Sequence, residues 1–216
     1  MMASEARVLD PGERIAEVLF GLIMVLTFTG SLSIAEAGRD DVRIMLIGAL
    51  GCNLAWGLID AVLYLMGCLA ERGRDRETYR AIRQSANPEQ ARRLIAAALP
   101  PILVQALEPE ALDQAYRRLP HLPVPTEGAR LSASDWRGAC GVFFLVFLAT
   151  FPVAVPFLLV ESVTRAMRLS NGVAVVMLFA AGWAYGRLVG RRPAAWGVSM
   201  VALGSALVAL TIALGG

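Results

Sequence analysis

The chain has 216 residues, of which 56% are hydrophobic, and its mean hydropathy of +0.58 is well above that of an ordinary soluble domain. Its 20 basic residues exceed its 18 acidic residues by only two, so the charge gives no reason to expect a nucleic acid as partner. Stretches of about 20 apolar residues recur along the chain, and a helix of that length crosses a bilayer core of ~30 Å. A soluble bundle would instead carry narrow apolar stripes. The composition therefore predicts a membrane protein.

The predicted fold is all-α and polytopic, with five transmembrane helices and one helical cytoplasmic insert between the second and third. The five predicted spans are Ile15–Ala35, Val42–Ala70, Gly138–Val160, Ser170–Gly190 and Ala194–Leu214. The chain is accordingly divided into three parts. Residues 1–70 hold the N-terminal segment and the first two helices, residues 71–136 form the insert, and residues 137–216 hold the last three helices.

The insert has a charged first stretch, residues 71–84, followed by two helical patterns, residues 88–107 and 109–119. Each pattern begins with a proline, which is tolerated in the first turn of a helix. Pro100 and Pro101 fall inside the first pattern and are expected to break or kink it. Three later prolines predict an extended linker before the third span: Pro120, Pro123 and Pro125.

The arginines predict the orientation of the chain, because short cytoplasmic loops carry an excess of basic residues. With the N-terminus inside, the cytoplasmic flanks hold Arg7, Arg14, the arginine-rich insert and the cluster at 187–192, and the outer flanks hold only Arg39, Arg43, Arg165 and Arg168. We therefore expect the N-terminus and the insert in the cytoplasm and the C-terminus outside. All basic residues are arginine and alanine is abundant, which is typical of a GC-rich bacterial genome, so the predicted location is a bacterial inner membrane.

Polar and small residues form a continuous stripe on the second predicted helix. They follow one another at steps of three or four and lie within about 40° of one line: Asn53, Gly57, Asp60, Tyr64, Gly67 and Glu71. The first helix carries a similar face: Glu13, Glu17, Met24, Thr27 and Ser31. A charge in mid-bilayer costs about 2.5–3.5 kcal/mol on insertion scales, so these residues call for a reason. Two facing stripes would line a polar path or a shared interface.

A packing role for the same residues remains open. A protonated Asp60 could hydrogen-bond a neighbouring helix, and the glycines could permit close helix contact. Glu13 and Glu17 could lie in the headgroup region, where acidic residues near a helix N-terminus are favourable. Similarly, Pro152 and Pro156 predict a bend in the third span. The glycines at 182, 186 and 190 predict close packing of the fourth.

Enzyme motifs are missing from the sequence. It contains no nucleophile elbow, phosphate loop, zinc-ligand spacing or dinucleotide fingerprint, so it does not favour an enzyme.

The layout resembles the vacuolar iron transporter (VIT)/CCC1 family. The second helix, residues 57–67, is similar to that family's G-x-x-D-G-x-S-M-x-x-G-E-Y stretch, with Asp60 and Gly67 on the family's aspartate and later glycine. The prolines of the third helix and the small residues of the fifth add to the likeness. The chain departs from the family at three ligand positions, where Tyr64 replaces a methionine, Cys68 a glutamate and Met24 an aspartate.

The resemblance implies a homodimer that exchanges Fe²⁺ or Mn²⁺ for protons, with the pathway at the dimer interface. Asp60 would be the central carboxylate, Glu17 and Glu13 would lie at the cytoplasmic mouth, and Asn53 and Tyr64 would follow the path. Asp60, Met24 and Glu71 would be metal ligands, the metal being cargo rather than a bound cofactor. The expected partners are a second copy, the bilayer, a divalent cation and a proton.

The alternative is a non-transporting scaffold or regulator whose insert binds anionic lipid or a partner protein. A hydrated cavity at Asp60 would separate the transporter from this alternative.

Overall fold

A computed structural model of the protein describes residues 11–30, 38–85, 87–121, 130–190 and 192–213. These residues form eight α-helices, one short 3₁₀ turn at Leu119–His121 and no strand. The helices are α1 (Pro11–Gly30), α2 (Arg39–Arg83), α3 (Pro88–Ala97), α4 (Pro101–Ala106), α5 (Pro109–Arg118), α6 (Ala133–Leu159), α7 (Val163–Val189) and α8 (Pro193–Ala213). The predicted all-α class is confirmed.

Four of these helices, α2, α6, α7 and α8, are long and apolar enough to cross a membrane. They correspond to the second to fifth predicted spans, and the protein is a helical membrane protein. α1 is not among them, because any 18 consecutive residues of this helix contain three charged residues, Glu13, Arg14 and Glu17. The predicted first span continued to Ala35, but residues 31–37 lie outside the described part of the chain. The count of five spans therefore stays a prediction.

The helices extend further than the apolar stretches that predicted them. α2 continues 13 residues beyond Ala70, through a charged stretch that the sequence assigned to the insert. α7 begins at Val163 rather than at Ser170. Hydropathy marks where apolar sequence ends, whereas glutamate, arginine and alanine continue a helix at little cost.

The chain divides into two compact units, which we call the membrane unit (residues 1–64 and 133–216) and the insert unit (residues 65–132). The core of the membrane unit lies where α1, α6 and α7 meet. Its buried residues come from all three helices and from α2: Leu22, Val25, Leu26, Ala49, Ala149, Val153, Ala174 and Leu178. α1 is thus a central packing element of this unit.

Pro152 and Pro156, which predicted a bend in the third span, both lie inside the unbroken helix α6. A proline removes a backbone hydrogen bond and loosens the turn before it. Ser170 of α7 is fully buried, and its Oγ donates a hydrogen bond of 2.7 Å to the carbonyl of Val153, three residues before Pro156. A side-chain hydroxyl from a neighbouring helix is one way in which backbone near a proline is satisfied in a membrane.

The small residues of α7 bring it close to α8. A Cβ atom at Gly182 would lie 2.6 Å from the carbonyl oxygen of Trp196, and one at Gly186 would lie 2.7 Å from the Cα of Pro193. The packing interpretation of these two glycines is confirmed. Gly190 differs, because it ends α7 in the left-handed conformation with φ of 72°, where glycine is favoured.

The insert unit has a small core of its own around the buried residues Ile82, Ala91 and Ile95. Asn87 caps α3 by accepting a hydrogen bond of 2.7 Å from the backbone of Gln90. Pro88 and Pro109 begin their helices, and the chain leaves the helical conformation between α3 and α4, as the sequence predicts. Of the predicted linker, residues 122–129 lie outside the described part of the chain.

Candidate ion pathway

α1 and α2 run antiparallel, and three contacts fix their register. Phe28 packs beside Gly48, where a Cβ atom would lie 3.3 Å from its ring. The carbonyl of Gly21 accepts a hydrogen bond of 3.4 Å from Asn53 Nδ2. The rings of Phe20 and Trp56 meet edge to face with centroids 5.5 Å apart. Residues further towards the start of α1 therefore lie beside residues further along α2.

The part of the α2 stripe from Asn53 to Tyr64 faces the inside of the membrane unit. Three of its members contact α6: Asn53 donates to the hydroxyl of Thr150, Gly57 lies against Phe143, and Tyr64 packs directly on Gly138. The opposite side of α2 is apolar and exposed, with Ile44, Ile47, Leu58 and Val62 among its residues. Within the membrane unit, this face of α2 therefore packs on its own chain, while the opposite apolar face is exposed.

The register brings Glu17 of α1 to the level of Asp60 of α2. The two carboxyl groups are close enough to interact electrostatically, and Glu13 acts on Glu17 as well. Glu17 and Asp60 are half-buried, whereas Glu13 is exposed. Among the described residues, no three histidine, cysteine, aspartate or glutamate side chains come together as a metal site. One chain therefore offers a pair of carboxylates, Glu17 and Asp60, with Glu13 close enough to act on Glu17.

Asn53 of α2 forms hydrogen bonds to both α1 and α6. It lies seven residues before Asp60, about two turns along α2. Its side chain is fully buried, and Nδ2 donates to both Gly21 O and Thr150 Oγ1. Its Oδ1 atom is buried and has no hydrogen-bond partner in the described part of the chain. Gly21 also touches α6 closely, since a Cβ atom there would lie 2.5 Å from the carbonyl oxygen of Val146. The three helices are packed shut at this level.

A family model described as the VIT family matches residues 62–216, well over half of the chain. The chain belongs to the VIT family. The resemblance seen in the sequence is confirmed, and the members of this family are membrane transporters of metal ions. A comparison with curated proteins found no match.

The VIT-family match begins at Val62, two residues after Asp60. It includes Tyr64, Glu71 and the helices α6, α7 and α8, but neither α1 nor Asp60. The case for Asp60, Glu17 and Met24 in this VIT-family protein therefore depends on geometry and on the motif, and their roles stay predictions.

The remaining predicted site residues lie further from the carboxylate pair. Met24 is half-buried and lies two turns beyond Glu17 on nearly the same face of α1. Glu71 is exposed and belongs to the insert unit. It is eleven residues beyond Asp60 on α2, about 16 Å along the helix, so the two could not share one ion.

The dimer interface expected at these stripes stays a prediction, and within one chain Asn53 and Gly57 of α2 are already covered. Both are buried within a single chain by α1 and α6. Thr150, which holds Asn53, was missed by the sequence analysis. The available signal was a hydroxyl group within an otherwise apolar run of α6.

Proposed function

We propose that this VIT-family protein exchanges a divalent metal cation, Fe²⁺ or Mn²⁺, for protons across a bacterial inner membrane. Glu17 and Asp60 would be the two carboxylates that hold the ion. The observation that carries the proposal is their placement opposite each other on α1 and α2, within electrostatic reach. Two negative charges at close range in a membrane repel each other, and either a proton or a cation relieves that repulsion.

The depth of the pair supports this exchange. Asp60 lies about 16 Å along α2 before the charged boundary at Glu71, which is roughly half of a bilayer core of ~30 Å. A carboxylate at this depth is stable only when it is protonated, paired or hydrated. A site that must be neutralised in one of these ways binds protons and cations in competition.

The ligands along the proposed route are of suitable types for Mn²⁺ or Fe²⁺. Carboxylates and water suit Mn²⁺, and a thioether such as Met24 is a softer ligand for a transition metal. Glu13 would receive the ion at the entrance, Glu17 and Asp60 would hold it, and the unpaired oxygen of Asn53 would be the next ligand. Tyr64 would line the route near Asp60, and Glu71 would collect cations separately in the insert unit.

The proposed topology has five spans, with the N-terminus and the insert unit in the cytoplasm and the C-terminus outside. The arginine distribution supports this orientation. We further propose a C2 homodimer, the commonest symmetric assembly. Because Asn53 is buried within one chain, the route would run between α1 and α2 of each protomer, and the partner would contact other surfaces.

Flux through reconstituted protein tests the function. In liposomes with an imposed pH gradient, wild-type protein should carry Mn²⁺ or Fe²⁺. Asp60→Asn should abolish that flux, because asparagine keeps the shape and loses the titratable charge, and Glu17→Gln should lower it at least tenfold. Glu161→Gln is the matched control, since this exposed carboxylate follows α6 and should leave flux unchanged. Size-exclusion profiles and thermal midpoints of all variants establish that they fold.

Flux that survives both Asp60→Asn and Glu17→Gln unchanged would overturn the mechanism. A second candidate, a membrane scaffold that no longer transports, is favoured by the closed packing around Asn53 and Gly57. It requires that folded wild-type protein carry no Fe²⁺, Mn²⁺ or Co²⁺ under any pH gradient.

A further inference from the structure

A groove of about 520 Å³ lies in the membrane unit where α1, α6 and α7 meet. Its lining is apolar along most of its length, with Val18, Gly141, Phe144, Leu145, Leu148, Ala149 and Met177. Phe144 and Leu148 are 52% and 53% exposed, so the groove opens to the outside of the helix bundle. The medium outside a membrane-spanning helix bundle is the hydrocarbon of the bilayer. An apolar groove that opens to it is filled by an apolar chain rather than by water.

The length of the groove matches one leaflet. Along α6 it runs from Arg137 to Ala149, twelve residues or about 18 Å. The hydrocarbon core of a bilayer is ~30 Å thick, so the groove spans somewhat more than half of it. This is the reach of one acyl chain that enters from a membrane surface.

The charge at the end of the groove selects the headgroup. Arg14, in the first turn of α1, and Arg137, near the start of α6, both line it, and none of the described residues that line it is acidic. A second groove, of about 470 Å³, lies between α2 and α6 at the other end of these helices. It has arginines and carboxylates together: Arg39, Arg43, Asp40 and Glu161. The two grooves share an apolar lining but differ in the charge at their ends.

We propose that the groove of Arg14 and Arg137 is a binding site for an anionic phospholipid. One acyl chain would lie along Phe144, Leu148 and Met177, and the phosphate would be held by the two guanidinium groups. Arginine is well suited to phosphate because its planar donors bind two oxygens at once. Basic pockets between transmembrane helices are recognised sites for anionic headgroups. The bound lipid would connect α1 to α6 beside Glu17.

Lipid retention by the full-length protein tests the site. Wild-type protein purified from vesicles of phosphatidylglycerol and phosphatidylethanolamine should retain phosphatidylglycerol in native mass spectra. The double variant Arg14→Gln/Arg137→Gln should retain at least tenfold less. The double variant Arg39→Gln/Arg43→Gln is the matched control, because it removes the same number of arginines from the other groove and should retain phosphatidylglycerol as the wild type does.

A substitution that keeps both arginines tests the acyl-chain part of the site. Leu148→Trp should fill the groove and also lower retention, while its exposed position should leave folding intact.

Adding phosphatidylglycerol to delipidated wild-type protein should raise the thermal midpoint, whereas phosphatidylcholine and inorganic phosphate should not. Equal retention by wild type and the Arg14/Arg137 double variant would overturn the proposal. A response to inorganic phosphate as large as that to lipid would do the same, because the site would then be one for free anions. Copurification of a different protein bound at this groove in place of lipid would also count against it.

Discussion

Asn53 connects more helices than any other polar residue described above. Its amide donates to a backbone carbonyl of α1 and to a hydroxyl group of α6, from a position on α2 with no exposed surface. Water is scarce at such a position, so the amide could not replace these two hydrogen bonds with hydrogen bonds to water. Its contribution is nonetheless bounded, since hydrogen bonds between membrane helices average about 0.6 kcal/mol and reach about 1.7 kcal/mol.

The first prediction at this scale is that Asn53→Ala lowers the free energy of unfolding by about 1–3 kcal/mol, because it removes two hydrogen bonds and leaves a small cavity. Unfolding titrations in mixed micelles measure the change. Leu54→Ala is the control, because Leu54 is the next residue on the helix but is 43% exposed. Equal effects of the two substitutions would show that the hydrogen bonds of Asn53 do not stabilise the protein.

The sequence predicts which residues of α2 share a face, but not what that face contacts. The spacing of Asn53, Gly57, Asp60 and Tyr64 correctly predicts a single face of α2, because a helix repeats every 3.6 residues. The spacing does not reveal what that face contacts. Whether it meets its own chain or a second copy depends on the packing of α6, whose residues lie about 90 positions away in the sequence.

At the scale of the helices, the sequence predicts existence better than extent. Four of the five predicted spans correspond to helices α2, α6, α7 and α8, and the first-turn prolines of α3 and α5 are where the sequence places them. The continuation of α2 to Arg83 is not, because charged residues with good helix propensity leave no stop signal. α1 is ambiguous for the opposite reason, since three charges at its start dilute an otherwise apolar helix.

The packing of α7 on α8 gives a second prediction. Gly182→Ala should destabilise the protein by about 1–3 kcal/mol, because its new methyl group would overlap the backbone of Trp196. Gly172→Ala on the same helix is the control, since a Cβ atom there has open space around it. The thermal midpoints of the two variants should therefore separate clearly. If both substitutions are neutral, α7 and α8 are not in close contact.

For the whole molecule, the open question is whether α1 crosses the bilayer. We expect single-cysteine variants, made after the three native cysteines are replaced, to report opposite sides for Gly12→Cys and Gly38→Cys. Gln84→Cys should react from the same side as Gly12→Cys, which is the cytoplasmic side. Membrane-impermeant thiol reagents applied to intact cells and to inverted vesicles make the measurement. Labelling of positions 12 and 38 from one side would reduce the protein to four spans.

The central position of α1 also affects how the protein is made. α1 leaves the ribosome well before the helices it packs against, since its Leu22 and Val25 contact Ala149, Val153 and Ala174. α6 begins more than 100 residues later. At about 5–20 residues per second, synthesis of that intervening chain takes on the order of 5–20 s. During this time a helix with three charges in its first two turns is without its packing partners from α6 and α7. We therefore expect slower elongation between codons 31 and 133 to increase the loss of α1 to quality-control proteases.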